Sequence, residues 1–139
     1  MADIREGILS RLVGVVAAVP GINSVHRNNT DITDDQMPAA LVLDGDEDVA
    51  TDKSQPMLVE MTPEIQIVEQ SGAIGSDLTT FRAQLIKLVL SDATINALTG
   101  SNGKIRYLGC ETSFGWQEKQ YGALQMRFSF KYPLKLTDL

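Results

Sequence analysis

The stretch Met57-Leu-Val-Glu-Met-Thr-Pro-Glu-Ile-Gln-Ile-Val-Glu69 alternates along its whole length. Met57, Val59, Met61, Pro63, Ile65 and Ile67 fall on one side, and Glu60, Thr62, Glu64 and Gln66 on the other. A period of two with apolar residues in one phase predicts a long strand with one face on a core. Pro63 keeps that phase but has no N–H to give to a ladder, so it marks a sheet edge or a bulge.

Reading outward, a second alternation runs from Leu124 to Tyr132. Leu124, Met126, Phe128, Phe130 and Tyr132 share one face, and Gln125, Arg127, Ser129 and Lys131 the other. Lys104–Phe114 reads as its partner in a hairpin, across a loop from Gly115 to Gly122. Upstream, Pro38 opens a run from Ala39 to Leu43 that is apolar in both phases, as in a strand covered on both sides. Asp44-Gly45 reads as its end, followed by an acidic loop from Gly45 to Gln55. Ile22–Arg27 is a short strand, and Asn28–Met37 is a polar loop.

Two helices complete the plan. Ile4, Ile8, Leu12, Val15, Val16 and Val19 repeat at helical spacing over Asp3–Val19, and Leu9 and Val13 widen the stripe. Asp3 with Glu6 forms a loose capping box, and Pro20-Gly21 stops the helix. Ser71–Gly75 is a linker, after which Ser76 caps a second helix with Leu78, Phe81, Leu85, Leu88 and Val89 on one face. Ser91 or Asp92 caps an extension to Leu98, before a turn over Thr99–Gly103. The expected fold is α+β: one domain over residues 1–139, with a mainly antiparallel or mixed sheet of about four to five strands and two helices on one face.

The composition agrees. The chain has 139 residues, of which 43% are hydrophobic and 22% charged, enough to bury a core without a covalent staple. One cysteine, Cys110, rules out an intrachain disulfide framework and a cysteine-based zinc site. One histidine, His26, rules out paired-histidine metal motifs. A Cys–His dyad requires these two residues to meet. Charged residues interrupt the N-terminus, and the apolar run Leu12–Pro20 is too short for a bilayer, so the chain reads as cytosolic at synthesis.

Charge is unevenly placed. Residues 31–69 carry eleven acids against Lys53, while residues 82–135 carry eight bases against three acids. Either neighbouring strands neutralise these charges locally, or the subunit has oppositely charged flanks suited to head-to-tail contact between copies. The net charge of −6 disfavours a duplex-DNA binder.

Candidate chemistry is sparse. Asp44, Asp46 and Asp48 imitate the start of a calcium loop, but Val49 and Gln55 stand where that motif needs glycine and glutamate. Gly72–Gly75 lacks the spacing and the Gly-Lys-Ser/Thr ending of a phosphate loop, and Asp77 would repel a phosphate there. Cys110 reads as a buried thiol and His26 as a surface or interface residue. Neither belongs to a nucleophile motif. No cofactor or metal is implied. Trp116 and Tyr121, with Lys119 between them, suit either a protein interface or stacking on single-stranded nucleic acid. The overall charge favours the interface.

The order of elements carries a resemblance. A long helix ends in Val19-Pro20-Gly21. A strand opens as Pro38-Ala-Ala-Leu-Val-Leu-Asp-Gly45. The long strand around Met61-Thr-Pro-Glu-Ile65, a second helix and a final hairpin follow. Over about residues 3–136 this pattern resembles the tail terminator (tail completion) proteins of long-tailed bacteriophages. The resemblance implies a homo-oligomeric ring, commonly of six subunits, seated on the tail tube. The ring would mimic a tube layer, stop polymerisation and dock the head connector, with no covalent chemistry. It implies a place at the head-proximal end of the virion tail, after assembly in host cytoplasm. The partners would be further copies, the tail tube protein and the connector. There would be no membrane and no sequence-specific nucleic acid, although DNA would pass through the ring.

Regional candidates follow. Asp44, Asp46, Glu47, Asp48 and Asp52, with the loop Asn28–Gln36, would contact tube or connector. Arg106, Arg127 and Lys131 would form the opposing subunit face, with Trp116 and Tyr121 as an anchor. The rivals are a head–tail connector (stopper), a tail tube subunit, a small ligand-binding or enzymatic domain, and a nucleic-acid module using the basic half.

Overall fold

In the computed structural model, residues 3–51, 57–70, 74–100, 105–116 and 120–139 are described. The expected linker Ser71–Gly75 and turn Thr99–Gly103 lie partly outside these residues. Asp52, Lys119 and the side chain of Trp116 lie outside the described residues as well.

The elements follow the order α1 (Ile4–Ala17), β1 (Ser24–Arg27), a short 3-10 turn (Asp34–Gln36), β2 (Ala39–Thr51), β3 (Met57–Glu69), α2 (Ile74–Ser91), α3 (Ala93–Thr99), β4 (Ile105–Trp116) and β5 (Gln120–Leu134). The chain is α+β. One mixed sheet has the strand order β1-β2-β3-β5-β4, with only the β1–β2 pair parallel.

The long alternating stretch is strand β3 over the predicted bounds, and its odd positions from Val59 to Glu69 are buried. Opposite them on β5, Leu124, Met126, Phe128, Phe130 and Tyr132 are all buried. The two phases face the same way because β3 and β5 pair directly, Ile65 beside Met126 and Met61 beside Phe130. The helices cover this face. Ile8, Leu12, Val15 and Val16 of α1 and Leu78, Phe81, Leu85 and Val89 of α2 join the same cluster. Each such side chain contributes about 1.5–3 kcal/mol of transfer free energy.

The helix ends follow local chemistry. Asp3 caps α1 by accepting from Arg5 N at 3.2 Å. Glu6 does not close a box: its carboxylate goes to Ser10 and Arg27 instead. Helix α2 starts at Ile74, so Ser76 lies inside it rather than capping it. Asp92 is the cap of α3, accepting from Ile95 N at 3.0 Å. The same carboxylate takes a two-pronged bond from Arg11 of α1, which ties the helices together. Asp92→Ala should therefore lower stability by about 1–2 kcal/mol. A urea midpoint unchanged from the parent would show that the cap contributes nothing.

Three strands outrun their sequence reading. Strand β2 does not stop at Asp44-Gly45 but continues to Thr51, pairing Asp46 with Thr62 and Asp48 with Glu60. The segment expected to be an acidic loop is strand as far as Thr51. The strands β4 and β5 likewise extend into the expected loop, to Trp116 and from Gln120.

Pro63 lies on a central strand, and the sheet answers it with irregularities in three ladders. On β2, Asp44 and Gly45 bulge between the Leu43–Glu64 and Asp46–Thr62 pairs, opposite the proline. The β3–β5 ladder skips from Met61–Phe130 to Glu64–Arg127. On β4, Leu108 is extra between Tyr107–Phe128 and Gly109–Arg127. Bulges bend a strand and sharpen its twist, and the two bulges fall in line across the sheet with the gap in the β3–β5 ladder, which keeps its register.

Candidate assembly face

The helices pack on one face of the sheet only; on the second face Ala39 and Leu41 are buried and the loop between β1 and β2 reaches Tyr121, and the charges on the remainder are sorted by strand. The register puts Asp46 and Asp48 of β2 and Glu60, Thr62, Glu64 and Gln66 of β3 on this face. The same register puts Gln125, Arg127, Ser129 and Lys131 of β5 there, beside Arg106 and Glu111 of β4. Acids therefore stand on the β2 side and most bases on the β5–β4 side.

Where the two signs meet, they compensate. Glu60 faces Lys131 and Glu64 faces Arg127 across the β3–β5 ladder. Arg127 also reaches Glu111 at 3.5 Å, and the buried Ser129 hydroxyl donates to Glu60. Such exposed pairs contribute little individually. Among the described residues, Asp46, Asp48 and Arg106 have no ion pair, and all three are exposed. Among the described residues the one ion pair on this face joins Arg127 of β5 to Glu111 of the edge strand β4, so that margin carries a base and an acid, while Asp46 and Asp48 make the β2 side acidic.

The structure separates the acidic candidates. Asp44 is half-buried and belongs to an internal clamp. Arg27 Nε and Nη2 donate to its carboxylate at 2.9 and 3.1 Å, while Nη1 and Nη2 donate to Glu6 at 2.7 and 3.0 Å. This clamp locks β1, β2 and α1 together, so Asp44 is a fold residue. Glu47 points the other way from Asp46 and Asp48, and its carboxylate accepts from the buried Tyr132 hydroxyl. Burial, then Glu47, pushes the Tyr132 phenol well above its ordinary range. Among the described residues of this group, only Asp46 and Asp48 are available to a partner through the second face of the sheet.

The clamp sets a pH dependence. Hydrogen bonding to Arg27 lowers the Glu6 carboxyl to about 2 from 4.5, and lowers Asp44 as well. A carboxylate held below its unfolded value stabilises the fold above that unfolded value. The contribution is lost as pH falls through the folded one. Stability should therefore drop between about pH 4.5 and 2, and Arg27→Met should flatten that drop. Urea midpoints across this window that fall equally in both proteins would remove the clamp from the acid response.

The aromatic candidates divide too. Tyr121 is half-buried and donates to Asp34 at 3.3 Å, fastening β5 to the loop between β1 and β2. Trp116 is the last residue of β4, paired with Gln120. Apolar exposure appears instead on Phe114, Leu108 and Val49, at 57%, 40% and 58%. Leu108 and Phe114 drew no attention in the sequence because single apolar residues at strand positions read as core, and Val49 because it falls in a segment that reads as an acidic loop. His26 and Cys110 sit on β1 and β4, the opposite edge strands of the sheet. Four strand spacings, roughly 19 Å, keep them from forming a dyad.

A groove of about 420 Å³ lies between α2 and β4, lined by Leu78, Arg82, Cys110, Thr112, Phe114 and Leu124. Arg82 is engaged there, its guanidinium 5.6 Å from the centre of the Tyr107 ring and its Nε 3.3 Å from the hydroxyl. Among the described residues no group of three acid, histidine or cysteine side chains could hold a metal ion, and no helix is long and apolar enough to cross a membrane. No protein-family model matches this chain, and no curated protein does either.

Proposed function

We propose that this chain is a ring-forming subunit of a phage tail, of the tail terminator type. It caps the tail tube, ends tube polymerisation and offers the docking surface for the head connector. The mechanism is occupancy: a closed ring takes the place of the next tube layer and presents a different upper face. The partners are further copies of the chain, the tube protein and the connector, in the virion tail. The observation that supports the reading best is the sheet face away from the helices, where the acids gather on β2 and β3 and most of the bases stand on β5 and β4. A surface of that kind favours heterologous contacts, which close into a ring when the rotation permits. The element order shared with tail terminators supplies the rest.

Negative-stain electron microscopy of the concentrated chain tests this, together with its addition to elongating tail tubes. Closed rings of one size and tubes of arrested length are the expected result. Filaments would make it a tube subunit, and rings that leave tube growth untouched would make it a stopper. Reversing Asp46 and Asp48 to lysine should abolish rings while leaving the urea midpoint within about 0.5 kcal/mol of the parent, as for surface changes. Rings as abundant as those of the parent would remove these acids from assembly.

A further inference from the structure

Strand β4 is an edge, paired only with β5 among the described residues. Past the bulge at Leu108 its register is unbroken from Gly109 to Trp116. The length Cys110–Trp116 holds no proline and no lysine, and its one charged residue is Glu111, which lies on the second face of the sheet. An open edge takes another strand unless charges, prolines or bulges blunt it. This length carries none of those guards on its helix side.

Beside it the helix side is hollow. Cys110, Thr112 and Phe114 alternate along β4 there, in register with Met126, Leu124 and Gly122 of β5. Helix α2 stands back from them and leaves the groove of about 420 Å³, which Leu78 and Arg82 wall on the helix side. Leu78 and Arg82 are one turn apart and share a face of α2. Phe114 is left largely exposed on the strand side. Arg82 is fixed at the Tyr107 end, its guanidinium over the ring and its Nε donating to the hydroxyl. No carboxylate among the described residues pairs with it. A guanidinium has five N–H donors and keeps its charge, so one held in an apolar groove complements an anion.

We infer that the cleft between β4 and α2 binds an extended, acidic peptide of a partner protein, added to the five-stranded sheet as a further strand. The peptide main chain pairs with the open edge over Cys110–Trp116, and its alternate side chains enter the groove. An aliphatic side chain packs against Leu78, Leu124 and Phe114. An acidic one further along the same phase reaches Arg82. Main-chain pairing supplies affinity, and the spacing of the aliphatic and acidic groups supplies selection. A small carboxylate would use Arg82 and leave the edge idle; edge and groove together fit a peptide. The site needs one subunit only, so it stands apart from the ring reading.

Selection from random peptides tests the site. A bead library of peptides as long as β4, screened with the whole chain, should yield binders that alternate apolar and polar residues. Asp or Glu should recur in the apolar phase, at the next place or next but one from an aliphatic residue. Cys110, the one cysteine of the chain, sits on the groove wall and reports occupancy. At about ten times its Kd, the best binder should slow maleimide alkylation of Cys110 by about tenfold, and slow amide exchange along β4. Arg82→Gln should weaken that binder by about tenfold, with no further loss when the peptide's acid is replaced by its amide. Arg82→Glu should turn the selection to Lys or Arg at the same place. A library without binders, binders that leave Cys110 and the β4 amides unchanged, or binders indifferent to both Arg82 variants would each overturn the site. A binder that dissolves rings of the parent chain would put a second copy in the groove and overturn the separate partner.

Discussion

Phe128→Ala should cost the fold about 3–5 kcal/mol, the range for deleting a fully buried aromatic side chain. Phe128 is wholly inaccessible and belongs to the main cluster under the helices. Its ring lies 5.5 Å from that of Tyr107 and 6.4 Å from that of Phe130, so truncation removes two aromatic contacts along with the buried area. It also stands beside the break in the β4–β5 ladder, Tyr107 opposite it and Leu108 bulged after that pair. Chemical denaturation of the two proteins measures the difference. A loss under about 1 kcal/mol would mean that the inner face of the final hairpin is not packed as described.

Gly45→Ala should be comparably damaging for a different reason. Gly45 has φ +72°, and a Cβ built there would fall 2.1 Å from the Thr62 carbonyl oxygen and 2.7 Å from its carbon. Backbone atoms cannot swing aside as a side chain can. The substitution combines left-handed strain with a collision inside the sheet, for a loss of about 3 kcal/mol or more. Gly109→Ala is the control. It sits in the matching bulge of β4 with φ +121°, but a Cβ there meets nothing within 4 Å. Strain alone remains, at about 1–3 kcal/mol, so it should be the milder of the two. Equal losses would mean that conformation, not space, sets the requirement for glycine at both bulges.

Much of this architecture is legible in the sequence, and the exceptions share a cause. Strand β3, the inner face of β5 and the stripes of α1 and α2 all declare themselves by spacing, because each buries one face against a continuous core. The outer length of β2 does not. Asp46, Glu47 and Asp48 give no apolar phase, and Gly45 before them carries the composition of a turn. Pairing with β3 holds them extended, and local sequence is silent about pairing. Pro63 signals an irregularity correctly, but whether it lies at an edge or opposite a bulge depends on the neighbours that β3 acquires. The acidic candidates show the same limit. Three residues of one run go to three fates: Asp44 into the Arg27 clamp, Glu47 to Tyr132, and Asp46 to the open margin. Alternation could have separated Glu47 from its neighbours once the segment was known to be a strand. The clamp needed the fold, since Glu6 and Arg27 belong to other elements.

The aligned irregularities at Gly45, Pro63 and Leu108 have a consequence for how the molecule breathes. They divide the sheet's amide ladders into two blocks with few hydrogen bonds spanning the division. Opening can then begin at that division and propagate to one side, rather than requiring the sheet to melt as a unit. Deuterium uptake should reveal two tiers: slow amides from Ile65 to Ile67 with their β5 neighbours, and faster ones in the distal length of β2 and the start of β3. An outer block that exchanges on its own timescale can adjust its pitch against a neighbouring surface while the other block stays closed.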